Sequence, residues 1–237
     1  MIIRGILSPD FYSIYVDELV EILAKLHVGC YICNIFISAL LYADDMALMS
    51  PSLRGLQRLL LACEQYCKDW DICLNPKKSR NLYFGTRQNS LCKLKLNGTE
   101  IEWAEKWTYL GIDLLSGSKF GCCIKEKIRK FYRAANHILR IEGKSDDLLL
   151  LSLIEIHCIP ILTYGIEVIF IADRDVRRQL RVAYNSVFRR IFHYRPWQSV
   201  TELQCFLSRP TWEELLEKRT QKFERGIQFN SFLGAIF

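Results

Sequence analysis

Asp44 and Asp45 stand side by side between two apolar runs, Ile35 to Leu41 and Met46 to Met49. This pattern predicts a β-hairpin with both acids at its tip. Two carboxylates on a tight turn offer hard oxygen ligands, which suit Mg²⁺ and the chemistry in which metal ions bridge nucleotide phosphates during phosphoryl transfer. Asp is also an ordinary turn residue, so an isolated pair of this kind is more simply a solvated turn. The neighbouring segments decide between these readings.

Upstream, Ser8 suits a helix N-cap, Pro9 the first helical position, and Asp10 the positive end of the helix dipole. Phe11, Ile14, Tyr15, Leu19, Ile22 and Leu23 then recur at helical spacing, predicting a packed helix that ends near His27. Downstream, Leu56 to Trp70 repeats the helical pattern. Leu74-Asn75-Pro76-Lys77-Lys78-Ser79 leads into a short strand over Asn81 to Phe84. Leu91 to Leu96 and Thr99 to Trp103 flank Asn97-Gly98, the strongest short turn signal, and so predict a second hairpin. Trp107 to Ile112 is a further strand-like run.

In this order, the Leu7-Ser8-Pro9 helix, Tyr42-Ala43-Asp44-Asp45, the Asn-x-x-Lys-Ser of residues 75–79 and Tyr109-Leu110-Gly111 resemble the palm of a reverse transcriptase. The similarity is greatest to the retrotransposon type that lacks long terminal repeats. Pro160 to Glu167 and Phe188-Arg189-Arg190-Ile191 are more loosely similar to the helical region that follows the palm. The resemblance implies RNA-directed DNA polymerase activity: Mg²⁺-dependent addition of deoxynucleotides to a primer 3′ end, with an RNA template, a DNA primer and dNTPs as partners. It makes Asp44 a metal ligand and Asp45 a weaker one beside it. Tyr42 and Ala43 would line the primer end. Lys78 would approach the nucleotide phosphates or departing pyrophosphate, where an ammonium offsets charge and donates a proton. Its competing reading is a solvated loop lysine. Tyr109, Leu110 and Gly111 would form the turn that grips the primer, against a plain core strand as the alternative.

Two departures from the family pattern bear on activity. The family's other catalytic Asp sits on a strand upstream of the Leu-Ser-Pro helix, and Met1 to Ile6 contain no carboxylate. The Arg-Gln-Gly expected before Leu7 is also disturbed, with Ile2-Ile3-Arg4-Gly5 in its place. The expectation is therefore an N-terminally truncated copy that is inactive alone. The rivals are a catalytically dead nucleic-acid-binding remnant and a relic without selected function.

With 237 residues, half of them hydrophobic, the chain can bury a sizeable core. The expected fold class is α+β: a partial palm over residues 1–115, with an antiparallel sheet and packed helices, then a helical thumb-like region over 116–237. From Ser118 onward the pattern turns helical and basic. Lys119 to Lys144 holds eight Lys and Arg against Glu126 and Glu142, a surplus equal to the +6 of the whole chain. Within it Lys125, Arg129, Lys130 and Arg133, interleaved with Phe131 and Tyr132, are candidate phosphate contacts, with a merely solvated basic face as the alternative. A second basic helix is expected over Val176 to Phe192, with Arg177, Arg178, Arg181, Arg189 and Arg190. Breaks are expected at Gly143 to Asp146 and Ala172 to Asp175.

No membrane span is expected, because the most apolar stretch, Ile156 to Ala172, is short and interrupted by Pro160 and Glu167. No secretory signal is visible, and ten cysteines without one suggest reduced thiols in a nuclear or cytoplasmic setting. Zinc is not expected. Cys30 and Cys33 have ligand spacing but lack a second pair at finger distance, and Cys63 and Cys67 fit the packed face of a helix.

Overall fold

The computed structural model describes residues 8–86, 92–141, 146–169 and 174–230. Among these, the residues up to Tyr83 with those from 92 to Ala104 form one compact unit, and Phe84–Thr86 with those from Glu105 onward form a second. Both mix helices with small antiparallel sheets.

In the first unit, α1 (Ser8–Lys25) and α2 (Leu53–Asp69) carry a shared apolar seam. Leu19 and Leu23 of α1 and Leu59 and Cys63 of α2 are fully buried in it. Each buried leucine contributes roughly 1.5–3 kcal/mol. Ser52 caps α2, its Oγ accepting from Gly55 N at 3.1 Å. Strands β3 (Ala39–Tyr42) and β4 (Asp45–Leu48) pair in antiparallel register. Ala39, Leu41, Met46 and Leu48 pack against the helical seam, while Leu40 faces solvent.

The expected strand over Ile35 to Leu41 is broken. Its first part forms β2 (Ile35–Phe36), which pairs with β1 (Tyr31–Ile32) across a Cys33-Asn34 turn. The break falls at Ser38, whose buried hydroxyl accepts from Cys30 N and donates to Cys30 O, replacing ladder bonds. Gly29 is required opposite it: its φ is +112°, and a Cβ there would lie 2.1 Å from Ser38 Oγ.

Strands β5 (Leu94–Leu96) and β6 (Thr99–Ile101) form the expected second hairpin, with Asn97 and Gly98 at φ +49° and +73°. Leu91 lies outside the described residues. The edge of β5 is held by α2 side chains: Gln57 both accepts from Lys95 N (2.8 Å) and donates to Lys95 O (2.9 Å), and the buried Glu64 accepts from Asn97 N at 2.6 Å. The strand expected over Asn81 to Phe84 is reduced to two isolated bridges, Asn81 to Trp103 and Phe84 to Gly117. At Asn81 the backbone N donates to Glu102 O at 2.9 Å and the side-chain amide donates to Ile101 O at 3.1 Å.

The second unit begins with a three-stranded sheet of β7 (Lys106–Tyr109), β8 (Ile112–Leu115) and β9 (Gly121–Cys123). The segment after Ser118 therefore opens with a strand before turning helical. Helices α3 (Lys125–Ile141), α4 (Asp147–His157), α5 (Ile159–Thr163), α6 (Ile166–Ile169), α7 (Arg174–Ile191), α8 (Thr201–Phe206) and α9 (Trp212–Phe229) follow. Phe131, Ile154, Leu162, Leu180, Phe188 and Trp212 form its core. Thr211 and Glu214 make a reciprocal capping box at the start of α9. Of the expected helix breaks, residues 143–145 and 172–173 lie outside the described residues. Arg174 and Asp175 instead open α7.

Candidate active site and nucleic-acid interface

The tip of the β3–β4 hairpin is Ala43-Asp44, closed by the Tyr42–Asp45 pair. Ala43 has φ +49° and Asp44 is not in that region, the sign pattern of a type II′ turn, whose first central position favours glycine. A Cβ at this position strains the backbone, and strain of this kind gathers at functional sites. Tyr42, Ala43, Asp44 and Asp45 are all exposed, Tyr42 at 65%. The stem supplies the rigidity. Met46 packs onto α2 through Cys63, 3.7 Å from sulfur to sulfur, and Met49 N donates to Ser38 O at 2.7 Å. Two adjacent carboxylates thus project into solvent from a fixed support, a hard-oxygen donor pair of the kind Mg²⁺ takes while keeping much of its water. Among the described residues, no group of three or more His, Cys, Asp or Glu side chains is placed to hold a metal ion.

Lys78 is exposed in a single turn after α2. The turn is organised by Asn75, whose Oδ1 accepts from Lys77 N (3.0 Å) and Lys78 N (3.3 Å), and whose carbonyl accepts from Ser79 N (3.1 Å) and Ser79 Oγ (3.0 Å). This explains the spacing of the Asn-x-x-Lys-Ser motif: its Asn and Ser close the loop and its Lys is left projecting.

Tyr109, Leu110 and Gly111 belong to the second unit, at the β7–β8 turn. Leu110 and Gly111 have φ +45° and +73°, the type I′ pattern. Tyr164 clamps this tip. Its hydroxyl donates to Leu110 O at 2.9 Å, and a Cβ on Gly111 would stand 3.2 Å from Tyr164 Cε1. Behind it, Lys127 Nζ donates to Tyr164 O at 2.6 Å and sits 5.3 Å over the Tyr164 ring. Burial and the nearby Lys130 push the Lys127 ammonium below the usual lysine range, Glu167 and Asp113 opposing. Lys127 is therefore set apart from the other cations of α3: it caps the carbonyl end of α5 instead of facing water.

Lys125, Arg129, Lys130 and Arg133 are all exposed. At 100° per residue, Lys125, Arg129 and Arg133 share an arc of about 80°, which also holds Asn136 and Arg140, whereas Lys130 lies about 60° beyond it. Buried Phe131 and Ala135 occupy the opposite side. Arg129 is partly neutralised by Glu126 at 2.8 Å. The structure adds a residue to this strip that the sequence reading left without a role: Arg190 of α7 donates to Asn136 Oδ1, bringing its guanidinium beside the α3 strip. The pairing spans 54 residues, so no local pattern announces it.

Residues 5–114 match the family described as reverse transcriptase (RNA-dependent DNA polymerase). The match takes in a little under half of the chain, and over that stretch the chain is similar to this family. Similarity continues past it into the second unit. The chain is 28% identical over 77% of its length to the probable RNA-directed DNA polymerase from transposon BS of Drosophila melanogaster, covering 21% of that protein. It is 25% identical over 92% of its length to the RNA-directed DNA polymerases from mobile element jockey of Drosophila melanogaster and Drosophila funebris, covering 24% of each. The retrotransposon resemblance read from the sequence is thus confirmed, and the chain spans between a fifth and a quarter of the length of these relatives. No solved structure matches. Among the described residues, no helix is long and apolar enough to cross a membrane, and all ten cysteines are free thiols.

Proposed function

We propose that the first unit carries the carboxylate hairpin of an RNA-directed DNA polymerase palm, and that the second unit begins with its primer-gripping turn and continues as a thumb whose basic strip follows an RNA/DNA duplex. The observation that carries this reading is the strained Tyr42-Ala43-Asp44-Asp45 tip, which holds two carboxylates in solvent on a stem fixed by two helices. Asp44 and Asp45 would hold Mg²⁺, which when bound neutralises nucleotide phosphate charge. Tyr42 and Ala43 would flank the primer end. Lys78, projecting from its Asn75-closed turn, supplies positive charge and a proton for departing pyrophosphate. In the second unit, Tyr109, Leu110 and Gly111 meet the primer backbone, and Lys125, Arg129, Lys130 and Arg133 with Arg190 neutralise duplex phosphates.

Titration with Mn²⁺, followed by paramagnetic broadening, tests the hairpin. Two carboxylates relieved of mutual repulsion should bind in the millimolar range. The Asp44→Asn, Asp45→Asn double variant should lose the response, and an unchanged response would place the metal elsewhere. The continuous basic strip favours a second reading, a protein that binds nucleic acid without polymerising. Primer extension on poly(rA) with dTTP and Mg²⁺ separates the two: product that disappears in Asp44→Ala supports polymerisation, and no product alongside salt-dependent duplex binding supports the second.

A further inference from the structure

Beyond α7 lies a short loop built with more care than a connection requires. α7 ends in a Schellman arrangement: His193 takes φ +57°, and Tyr194 N donates to Arg189 O at 2.8 Å. Arg195-Pro196-Trp197-Gln198 then forms a β-turn closed by Gln198 N donating to Arg195 O at 3.0 Å, with proline at its favoured second position. The Gln198 side chain closes the turn again, its Oε1 accepting from Arg195 N at 2.7 Å, and Arg189 Nε ties the turn back to α7 through Gln198 O at 2.9 Å. Four hydrogen bonds therefore fix this segment, and what it presents is an indole. Trp197 keeps 76% of its surface in solvent, with the Arg195 guanidinium 5.6 Å from its ring centroid.

A tryptophan left in water forfeits the burial that usually repays its size, so a rigid turn that displays one calls for a ligand. The charge around it indicates which kind. From Val176 to Thr201 the sequence carries six arginines and no acidic residue. Arg190 stands one turn before the loop, held beside the α3 strip by Asn136.

The geometry points to the His193–Ser199 segment as a base-stacking site for single-stranded nucleic acid, with the Trp197 indole as platform and Arg190 and Arg195 as phosphate partners. The inference rests on the nucleic-acid reading above and extends it to a different form of the polymer. Bases within a duplex are already stacked, so an exposed ring displayed on a rigid turn engages an unpaired base. Every base has a π-face, so the contact tolerates any sequence. Arg195 over the indole leaves the far face for the base, in the order guanidinium, indole, base.

The test measures fluorescence anisotropy of the full chain with three labelled probes: (dT)20, an abasic phosphodiester oligomer of the same length, and an RNA/DNA hybrid duplex. Trp197→Ala should weaken (dT)20 binding about tenfold or more and leave the abasic oligomer unchanged, whereas Trp197→Phe retains most of the affinity. Equal losses on both single strands, or no loss on (dT)20, would overturn the stacking site. Thermal melting controls for folding, and Trp197 is exposed enough that its truncation should leave the melt in place. Arg129→Gln with Arg133→Gln tests the underlying reading separately, through the salt slope on the hybrid duplex. A reduced slope there, with Trp197→Ala silent on (dT)20, would reject the stacking site and keep the duplex interface. Binding to none of the probes would reject both.

Discussion

Two hairpins with two-residue tips carry most of the family resemblance, and they are made rigid in opposite ways. At Ala43-Asp44 all four turn residues are exposed, and order comes from below, from Ala39, Leu41, Met46 and Leu48 seated on α1 and α2. At Leu110-Gly111 order is imposed at the tip, by the Tyr164 hydroxyl on Leu110 O and the Tyr164 ring against Gly111. The backbones differ to match. Leu110 and Gly111 both take positive φ, the twist that suits a hairpin, whereas Ala43 alone takes it in the other. On the proposed role, carboxylates that hold a cation need their oxygens open to water and ligand, so a clamp at their tip would work against it. On the proposed role of the second turn, pressing on a primer backbone, being held from behind costs nothing.

The largest expected effect that probes this contrast is Gly111→Ala. Gly98 serves as the internal control, because it sits at the same φ of +73° in another two-residue turn, with open space where a Cβ would go. Left-handed backbone costs an alanine about 1 kcal/mol at either site. At Gly111 the new methyl also presses on Tyr164, which should raise the cost to about 2 kcal/mol. Urea unfolding midpoints, with hydrogen exchange of the β7–β8 amides, read the difference. Equal costs at Gly98 and Gly111 would show that Tyr164 does not clamp the tip.

Next in size is Asp113, which ties the stem of the clamped hairpin together. It accepts from Lys106 Nζ at 2.6 Å and from Thr108 Oγ1 at 2.5 Å. Burial alone would push its carboxyl up, but these two hydrogen bonds and the nearby lysines hold it below the usual carboxylate range. A carboxyl depressed in the folded state contributes stability that is fully present above its unfolded value of about 3.9 and is lost as pH falls through the lower folded value. Asp113→Asn should therefore cost about 1 kcal/mol at neutral pH and progressively less below about pH 4. Melts at pH 7 and pH 3 test this: a cost independent of pH would mean that Asp113 acts through packing and not through charge.

How much of this was legible in the sequence follows the range of the interactions. The Tyr42-Ala43-Asp44-Asp45 tip, the Asn97-Gly98 turn and the long helices are local patterns, and they form where those patterns place them. The break at Ser38 was hidden, because a serine in an apolar run reads as one tolerated polar residue until its hydroxyl is seen replacing Cys30's ladder partners. The Tyr164 clamp and the Arg190–Asn136 pairing each join residues 54 positions apart, so neither periodicity nor turn chemistry carries them. The sequence shows only that a glycine follows Tyr164; that Gly165 has φ +61° and would place a Cβ 2.8 Å from Ile112 Cδ1, and so is shaped to fit that hairpin, emerges in the structure. The roles of Lys125, Arg129, Lys130 and Arg133 were read from composition, and composition could not show that Lys127 among them turns inward.

A smaller effect of opposite sign is expected at the open tip. Ala43→Gly removes the Cβ strain, worth about 1 kcal/mol, and part of that gain is returned through the freer unfolded chain, leaving roughly 0.5 kcal/mol of net stabilisation. The same change should weaken Mn²⁺ binding, because a looser turn no longer holds the two carboxylates together. Greater stability combined with tighter metal binding would break the argument that strain at Ala43 serves the site.

As small an effect is expected of Tyr164→Phe, and it divides the clamp into its parts. The variant removes the hydroxyl's 2.9 Å bond to Leu110 O but keeps the ring against Gly111 and beneath Lys127. Tyr164 is more than half exposed, so water can take the place of the hydroxyl at Leu110 O, and the net cost should be only about 0.5 kcal/mol. Faster exchange should be confined to the amides beside Leu110. Combined with Gly111→Ala, the loss of the hydroxyl lets the ring tilt away from the new methyl, so the double variant should cost less than the two single changes added together. Strict additivity would mean that ring and hydroxyl act independently. A Tyr164→Phe cost as large as that of Gly111→Ala would make the hydrogen bond, and not the contact with the ring, the element that holds this hairpin in place.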